Sequence, residues 1–474
     1  MKTTASDNAS TARVSPRAGT CGAVLAAGLL LGGCASTPVP EPDVSLPSHW
    51  VHVAKQAGAP EPDYREWWQA LHDPALNQLV DASLKANLNL ASALERVRAA
   101  RALYLRSDAP YKPALSIKTD DPVDPDARAS YFLMGFDAHW ELPLFGRGQA
   151  KKNVARGHLE AAAGNLREVR VSMVAEVARD WINLRAAQQD SSILRQMIRL
   201  QRNRIKLARV RVHLGLASPA VLTAPLLKKS NLETQQQNAR HQVVAAAQQL
   251  ALLTGRDEPE GAWLHEAAVP TLQGYEPVSV PANLLNTRPG IAQARAQVIK
   301  AAGELGLARA DRYPSIGLGA SLVASANLAS YNASGLGGIG SVGPIIDIPL
   351  FDWGLRKARA NAKGHLLKAA SLAYREAVLQ GVADVETKLD DLHGTQQQLQ
   401  TRKQVLQREK TAVSRARTRG KLGLDSPDQR LAAEFNYNQA RMQLIQAQAA
   451  HDIAYVALYK ALGGASNRPI KSTG

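Results

Sequence analysis

The feature that most constrains this chain of 474 residues is an internal repeat, in which similar segments recur about 208 residues apart. The segment LGLASP at 214–219 returns as LGLDSP at 422–427, and the same offset carries Arg211 onto Arg419. Further positions matched at this offset are Gly255 with Gly463, and Val174, Val177, Trp181 and Leu184 with Val382, Val385, Leu389 and Leu392. The repeat predicts that the chain contains two copies of one structural unit.

A second repeated motif lies upstream in each half. Pro143-Leu144-Phe145 followed by Gly148 returns as Pro349-Leu350-Phe351 followed by Gly354, at an offset of 206. Such small changes of offset indicate that a loop lengthened after duplication. Because the motifs recur in the same order, both halves are expected to contain the same elements.

Each half is predicted to form a helix, two strands, a long helix, a tight turn and a last helix. In the first half the helices are predicted at 74–108, 146–214 and 219–254, and the strands at 114–119 and 130–142. In the second half the helices are predicted at 289–311, 353–419 and 427–462, and the strands at 315–326 and 339–350. The turns give two helical hairpin tips, near 211–219 and 419–427.

The long helices predict a helical bundle or tube. Residues 146–214 contain no proline, and their apolar residues recur at alternating steps of three and four, which is typical of a coiled coil. At ~1.5 Å per residue, a helix of this length extends ~100 Å and cannot bury its apolar stripe within a compact monomer. The stripe contains many small side chains, which permit close helix packing: Ala175, Ala178, Ala186 and Ala187.

The strands are typical of a transmembrane β-barrel. After Pro314, apolar residues alternate with small or polar ones, which favours one face toward lipid. The apolar set is Ile316, Leu318, Ala320 and Leu322, and the other set is Gly317, Gly319, Ser321 and Val323, of which only Val323 breaks the pattern. Aromatic residues of the first hairpin fit an interfacial belt: Tyr131, Phe132, Phe136 and Trp140. Single-chain barrels begin at eight strands, so four strands predict that several copies pool their strands. The alternative is the edge of a soluble sheet.

The N-terminus predicts export and lipidation. Lys2, Arg13 and Arg17 precede an apolar run at 21–31, which indicates a signal peptide at 1–33. Leu31-Gly32-Gly33-Cys34 resembles a bacterial lipobox, so Cys34 is expected to carry a covalent lipid, and Ala35 resembles the pattern sorted to the outer membrane. The alternative is a generic signal peptide with a chance cysteine. Cleavage and acylation leave no thiol for a disulfide, a metal or a nucleophile.

Other chemistry finds little support in the sequence. The formal charge of +16 permits nucleic-acid binding by a basic coiled coil, but the signal peptide and the barrel-type strands argue against it. The histidines show no metal-ligand spacing, and no G-x-S-x-G elbow is present. Residues 335–340 match G-x-G-x-x-G but precede a strand, which favours an external loop. Four carboxylates of the first long helix are expected on its solvated face: Glu168, Glu176, Asp180 and Asp190.

The chain resembles the outer-membrane factor family, the TolC-like exit ducts of tripartite efflux pumps and type I secretion systems. The resemblance begins at Trp67-Trp68 and Asp73-Pro74, continues through 86–90 (ANLNL), and includes Arg96-Val97 and Ala100-Arg101. The strand-to-helix junctions resemble the family at Pro143, Phe145, Gly148, Pro349, Phe351 and Gly354. The hairpin tips resemble it at Arg211, Gly215, Ser218, Arg419, Gly423 and Ser426. The lipobox places the chain with the lipoprotein branch, beside the outer-membrane components of resistance-nodulation-division pumps.

The resemblance implies a fold and a function. It implies a homotrimer whose twelve pooled strands form one outer-membrane barrel, continued by a periplasmic tunnel of twelve helices. The implied function is a passive duct for small toxic compounds or drugs, without catalysis or a metal, and without a cofactor beyond the lipid on Cys34. An inner-membrane pump and a periplasmic adaptor protein would deliver the substrate. The alternative is a type I protein-secretion duct.

The resemblance also implies a gate at the hairpin tips. Asp425 matches an acidic position that forms a constriction ring in relatives, and three copies would cluster their carboxylates. The alternative for Asp425 is a turn or cap residue before Pro427. The predicted organisation is then 34–72 as a lipid-anchored extension, 73–257 and 289–463 as the two repeats, 258–288 as a linker and 464–474 as a tail.

Overall fold

The computed structural model describes residues 38–40, 46–47, 50–51, 64–120, 131–272, 284–327 and 337–464. The predicted signal peptide, Cys34 and residues 465–474 of the predicted tail lie outside these ranges. The chain divides into two compact units. The strand unit contains Leu103–Gly157 and Val298–Ala369, and the helical unit contains Glu41–Ala102, His158–Gln297 and Ala370–Gly474.

The described elements follow the repeat. The first half contains α1 (Pro74–Ala86), α2 (Leu88–Leu105), β1 (Ala114–Asp120), β2 (Tyr131–Glu141), α3 (Arg147–His213) and α4 (Thr223–Leu253). The second half contains α5 (Pro289–Ala310), β3 (Ser315–Asn327), β4 (Gly337–Asp347), α6 (Leu355–Lys421) and α7 (Pro427–Ala461). Short 3-10 helices occupy Tyr64–Leu71, Ala109–Tyr111, Pro219–Leu222 and Gly261–Leu264, and Leu284–Thr287 forms one helical turn. Both long helices, α3 and α6, have 67 residues, as a duplicated unit requires.

The first predicted helix is broken. We expected one helix over 74–108, but α1 ends at Ala86 and α2 begins at Leu88. Asn87 stabilises the break, because its Oδ1 accepts the Leu90 N–H (3.0 Å) while its Nδ2 donates to the Leu253 carbonyl (3.0 Å). A side-chain amide that satisfies backbone groups on both sides allows the chain to change direction without an orphaned donor.

The second half contains the same break at Arg288. Its Nη1 donates to the carbonyl oxygens of Gly381 (3.2 Å) and Ala461 (3.4 Å), and it forms an ion pair with Asp384.

Glycines with positive φ approach both breaks. A Cβ on Gly255 would lie 2.7 Å from the Ala86 carbonyl oxygen, and a Cβ on Gly463 would lie 2.5 Å from that of Thr287. The matched glycines of the sequence repeat therefore occupy equivalent contacts.

The helical unit is anchored by an aromatic core. Trp67 stacks on Tyr459 with ring centroids 5.4 Å apart, and the Tyr455 hydroxyl donates to the Trp67 carbonyl (3.1 Å). Trp181, from the repeated apolar series, is fully buried, and its Nε1 donates to Asp73 Oδ2 (2.8 Å). Asp73 also caps α1, because its Oδ1 accepts the N–H groups of Ala75 (2.9 Å) and Leu76 (3.2 Å).

The predicted solvated face of the first long helix is wrong for two of its carboxylates. Burial raises the pKa of Asp180, and raises that of Asp190 to about 6. Gln446 of α7 donates to Asp190 Oδ2 (3.1 Å), which places Asp190 where α7 packs against α3. A pattern of charges along one helix does not show which neighbouring helix will cover them.

The strand unit contains one antiparallel sheet in the order β1-β2-β3-β4. Its register aligns Ile117 with Phe136, Phe136 with Leu322, and Leu322 with Gly340. Gly337 and Gly340, from the G-x-G-x-x-G match, lie inside β4, so the expected external loop is wrong for 337–340; residues 335–336 lie outside the described ranges.

The register gives the sheet two chemically different faces. The apolar face carries Leu115, Ile117, Met134, Phe136, Trp140, Ile316, Leu318, Leu322, Val342 and Ile346. The polar face carries Ser116, Lys118, Asp137, His139, Glu141, Ser315, Ser321, Ser341 and Asp347, with Gly317, Gly319, Val323 and Ile345. The alternation predicted for β3 therefore extends to β1 and to most of β2, where Leu133 on the polar face is the exception, whereas β4 carries isoleucines on both faces: Ile339 and Ile345 on the polar face and Ile346 on the apolar face. Of the predicted aromatic belt, Phe136 and Trp140 lie on the apolar face, and the side chains of Tyr131 and Phe132 are outside the described set.

Candidate functional site

The two hairpin tips have the same backbone conformation. Gly215 and Gly423 have φ values of +70° and +71°, and, apart from their own chain neighbours, no atom lies within 4 Å of a Cβ built on either glycine. In the first tip the Leu216 N–H donates to the Arg211 carbonyl (2.8 Å), and in the second the Leu424 N–H donates to the Arg419 carbonyl (2.9 Å). Each long helix thus ends in a glycine C-cap with the left-handed residue that glycine adopts at low cost.

The following helices begin at the predicted serines. Ser218 Oγ accepts the Ala220 N–H (3.4 Å), and the 3-10 turn at Pro219–Leu222 leads into α4. Ser426 forms a reciprocal capping box with Gln429, because Ser426 Oγ accepts the Gln429 N–H (3.3 Å) and Gln429 Oε1 accepts the Ser426 N–H (2.7 Å). The second tip is therefore the better capped of the two.

Asp425 is held inside its own tip. Its Oδ1 lies 2.8 Å from Arg419 Nε, and its side chain is only 11% exposed, whereas that of Arg419 is 57% exposed. The structure brings two predicted tip residues together as an ion pair within one hairpin. The constriction ring that the family resemblance implies for Asp425 remains a prediction.

A second ion pair joins the two hairpins of one chain. Arg204 of α3 contacts Asp428 of α7 through two bonds, Nε to Oδ1 (2.8 Å) and Nη2 to Oδ2 (3.3 Å). The hydrogen bonds from Arg204 hold the pKa of Asp428 below its ordinary value despite partial burial, and the charge of Arg211 lowers it further. The sequence pattern gave no indication of this pair, because its partners are 224 residues apart.

The ends of both tips expose leucines. The side chains of Leu214, Leu216, Leu422 and Leu424 are 62%, 73%, 68% and 62% exposed. Single exposed apolar residues are common, but the same pair at both tips makes a repeated apolar surface rimmed by arginine.

The strand-to-helix junctions require one correction. The repeated motif matched Gly354 with Gly148, but the backbone matches it with Gly146. Phe145 and Gly146 have φ values of +53° and +78°, and Trp353 and Gly354 have +57° and +81°. The two helix starts therefore keep the offset of 208, and only the preceding Pro-Leu-Phe motif is shifted by two residues.

The predicted junction residues have separate packing roles. Phe145 stacks on Tyr313 with ring centroids 4.8 Å apart, and a Cβ on Gly148 would lie 3.0 Å from Pro143 Cβ. Phe351 is largely exposed and contacts the ring of Trp353 edge to face, and the Gly354 N–H donates to Asp352 Oδ1 (3.0 Å). Pro349 lies in the wall of a cavity between the sheet and the helices of the strand unit.

The described ranges contain neither a candidate metal site nor a membrane-spanning helix. No group of three or more His, Cys, Asp or Glu side chains there could hold a metal ion. Among the helices that the structure describes, none is both long and apolar enough to cross a membrane.

A two-faced sheet joined to paired long helices with capped tips defines the class of outer-membrane channels. The family model described as outer membrane efflux protein matches residues 79–256 and 280–464. The chain belongs to this family, and the predicted family is confirmed. Members of this family act in transport as channels.

Relatives and a solved structure agree with this assignment. The pyoverdine export outer membrane protein OpmQ of Pseudomonas aeruginosa is 29% identical over 470 residues, covering 93% of this chain and 96% of the relative. The solvent efflux pump outer membrane protein SrpC of Pseudomonas putida is 28% identical over 460 residues, covering 92% and 96%. The outer-membrane channel OprN is 26% identical with a TM-score of 0.75, covering 90% of this chain and 99% of that one.

These matches confirm the predicted fold class of helical tunnel segments with barrel strands, the outer-membrane location and the efflux function. They argue against the nucleic-acid alternative. Because the chain belongs to an outer-membrane efflux family, it acts as one component of an efflux system.

Proposed function

We propose that three copies of this chain form one passive exit duct for small toxic compounds or drugs. The observation that carries the proposal is the two-faced sheet. Within the described chain, β1 and β4 each pair on one side only, so a single copy leaves two open edges. A membrane does not tolerate open edges, and pooling four strands from each of three copies closes a barrel with its apolar face toward lipid.

The hairpin tips supply the controlled step of this duct. The ion pairs Arg419–Asp425 and Arg204–Asp428 hold the tips closed, and their loss opens the duct. The exposed leucines at both tips contact a periplasmic adaptor protein, which links the duct to an inner-membrane pump of the resistance-nodulation-division type. Transport energy comes from that pump, so the duct carries out no catalysis and needs no cofactor.

The lipid on Cys34 anchors the mature chain to the outer membrane and assigns it to the lipoprotein branch. The lipobox and the names of the export and efflux relatives favour small molecules over proteins as cargo. A type I protein-secretion duct is the second candidate. Restoration of protein secretion, but not of drug resistance, in a strain that lacks its own duct would favour it.

The orientation of the sheet gives a sharp test. Leu322 and Ser321 are neighbours in β3, but Leu322 lies on the apolar face and Ser321 on the polar face. Leu322→Asp places a charge in lipid, where ionisable side chains cost a few kcal/mol at the bilayer centre, so we expect loss of the cross-linked trimer and of channel conductance. Ser321→Asp faces the water-filled lumen and should leave both intact. Equal effects of the two variants would refute the proposed barrel.

The cellular test uses a strain that lacks its own efflux channel. Expression of the wild-type chain with its pump and adaptor should restore resistance to small toxic compounds. Failure of a correctly inserted trimer to restore resistance with any pump and adaptor would contradict the efflux assignment of the duct.

A further inference from the structure

The strand unit contains a cavity of about 770 Å³ at the junction between its sheet and its helices. The walls are the ends of β2, β3 and β4, the last turns of α5 and the first turns of α3 and α6. A cavity of this size holds a drug-sized molecule, since ligand sites range over ~300–1,000 Å³.

The cavity opens on the polar face of the sheet. Its strand residues are Glu141, Ser315 and Asp347, which the register places on that face. In the proposed barrel the polar face lines the lumen, so the cavity lies on the path of the transported molecule. The inference therefore rests on the proposed function.

Four acidic and four basic side chains line the cavity. Three ion-pair groups neutralise most of them. The pairs are Arg147 with Glu141 (3.7 Å) and Asp311 (3.1 Å), Lys363 with Glu304 (2.6 Å), and Arg356 with Asp352 (3.3 Å). Arg147 also donates from Nη2 to the Ala310 carbonyl (3.3 Å), so its guanidinium contacts three groups of the wall.

One acidic and one basic side chain of the wall take part in none of these ion pairs. Asp347 at the end of β4 and Arg359 on α6 are both exposed, and neither forms an ion pair within the described chain. A carboxylate and a guanidinium that face the same cavity can each form a charge-assisted hydrogen bond with a solute. A solute with only one charge contacts one of the two groups and leaves the other to water.

We propose that this junction cavity binds zwitterionic solutes, which have one ammonium and one carboxylate group, during export. Asp347 accepts hydrogen bonds from the solute ammonium, and Arg359 donates to its carboxylate. The remaining charged wall residues hold one another and keep the cavity open. The site gives the duct a preference among small molecules that its wide lumen alone would lack.

Two β-lactams test the proposal, because ampicillin has an ammonium and a carboxylate whereas benzylpenicillin has the same scaffold without the ammonium. Binding to the purified full-length trimer is measured by ligand-observed saturation-transfer NMR. We expect wild type to bind ampicillin more tightly than benzylpenicillin. Asp347→Asn should weaken ampicillin binding about three- to tenfold, because solvent screening reduces the contribution of an exposed charged hydrogen bond, and should leave benzylpenicillin binding unchanged.

The second variant and its control complete the design. Arg359→Gln should weaken binding of both compounds by a similar factor, because both have the carboxylate. Lys357 lies two residues earlier on the same helix, is exposed and is not part of the cavity wall, so Lys357→Gln should bind both compounds like wild type. Equal binding of the two compounds, or equal effects of the Lys357 and Arg359 variants, overturns the site.

Accessibility separates a lumen site from a surface covered by a neighbouring copy. In a trimer of the Asp347→Cys variant, a polar thiol reagent should label residue 347, and ampicillin should slow the labelling at concentrations raised to offset the weaker binding of this variant. Protection of the thiol in the trimer without ampicillin shows that a neighbouring copy covers the cavity, which overturns the site but leaves the duct intact. Absence of a conducting trimer refutes the proposed function and the site together.

Discussion

The ion pair between Arg204 and Asp428 offers the most direct test of the closed tips. It joins α3 of the first hairpin to α7 of the second, so the hairpins cannot separate without breaking it. We predict that Arg204→Gln shifts the channel toward its open state. The change removes one charge and leaves the helix backbone unperturbed, because glutamine is a good helix former.

The size of the effect follows from geometry and exposure. Charge-assisted hydrogen bonds contribute ~1.5–3 kcal/mol when shielded, whereas exposed pairs contribute ~0–1 kcal/mol. The side chains of Arg204 and Asp428 are 27% and 35% exposed, so we assign ~1 kcal/mol to each chain after allowing for solvent screening. Three copies contribute ~3 kcal/mol, which corresponds to a roughly hundredfold change in the ratio of open to closed channels.

Single-channel recording in planar bilayers measures this ratio as the open fraction. Arg417→Gln is the matched control, because Arg417 pairs with Glu434 (3.2 Å) within one hairpin and does not join the two. We expect a large rise in open fraction for Arg204→Gln and little change for Arg417→Gln. An unchanged open fraction in the Arg204 variant, or the same rise in both variants, would contradict the role of this pair.

The pair also predicts a dependence on pH. Because the folded-state pKa of Asp428 is depressed, the stabilisation is present above the ordinary aspartate value near 3.8 and is lost as pH falls through the lower folded value. The wild-type channel should therefore keep its tips closed across neutral and mildly acidic pH. Opening between pH 5 and pH 7 would have to come from another group.

Four further predictions concern the gate, burial, backbone space and lipidation. Asp425→Ala should raise bilayer conductance and antibiotic leakage through loss of its predicted gate role; unchanged values in both assays would refute that role. Burial raises the pKa of Asp452 to about 8. Ionisation of this group therefore costs no stability below pH 4 and costs progressively more as pH rises toward 8. Asp452→Asn should raise the melting temperature more at pH 8 than at pH 5, and a pH-independent change would refute the assignment. Gly463→Ala should lower the melting temperature more than Gly423→Ala, because both have positive φ but only Gly463 meets a carbonyl oxygen at 2.5 Å; equal losses would count against this contact. Cys34→Ser should abolish palmitate labelling while the barrel still assembles, and label retained by the variant would disprove lipidation at that residue.

Much of the fold is predictable from the sequence because the same motifs occur in both halves of the chain. The glycine caps at Gly215 and Gly423 and the serine caps at Ser218 and Ser426 recur at one offset, and local backbone chemistry sets each of them. Strand alternation was predicted from β3, and β1 alternates in the same way. The faces of β4 needed the register, because its glycines and Pro344 interrupt the apolar pattern.

Features that depend on distant partners could not be predicted. The helix break at Asn87 is not marked by the same residue type in the second half. There, Arg288 donates to the backbone carbonyls at the break instead. The burial of Asp190 depends on α7, which contacts it from more than 250 residues away. The charges of the cavity likewise come from both halves of the chain, and only the folded strand unit shows that Arg147 and Lys363 line the same cavity.

The two tips have diverged in charge although their backbones agree, and this divergence explains how the hairpins hold together. At the offset of 208, each acidic residue of the second tip corresponds in sequence to an apolar residue of the first tip. These matched positions are Asp425 with Ala217, Asp428 with Ala220, and Glu434 with Leu226. The basic residues Arg417 and Arg419 instead match Arg209 and Arg211. Two identical basic tips would repel each other, whereas the added acids neutralise the second tip and leave Asp428 to pair with the first. The acidic residues of the second tip thus supply the ion pair that joins the two hairpins, and the proposed closed state of the duct depends on that pair.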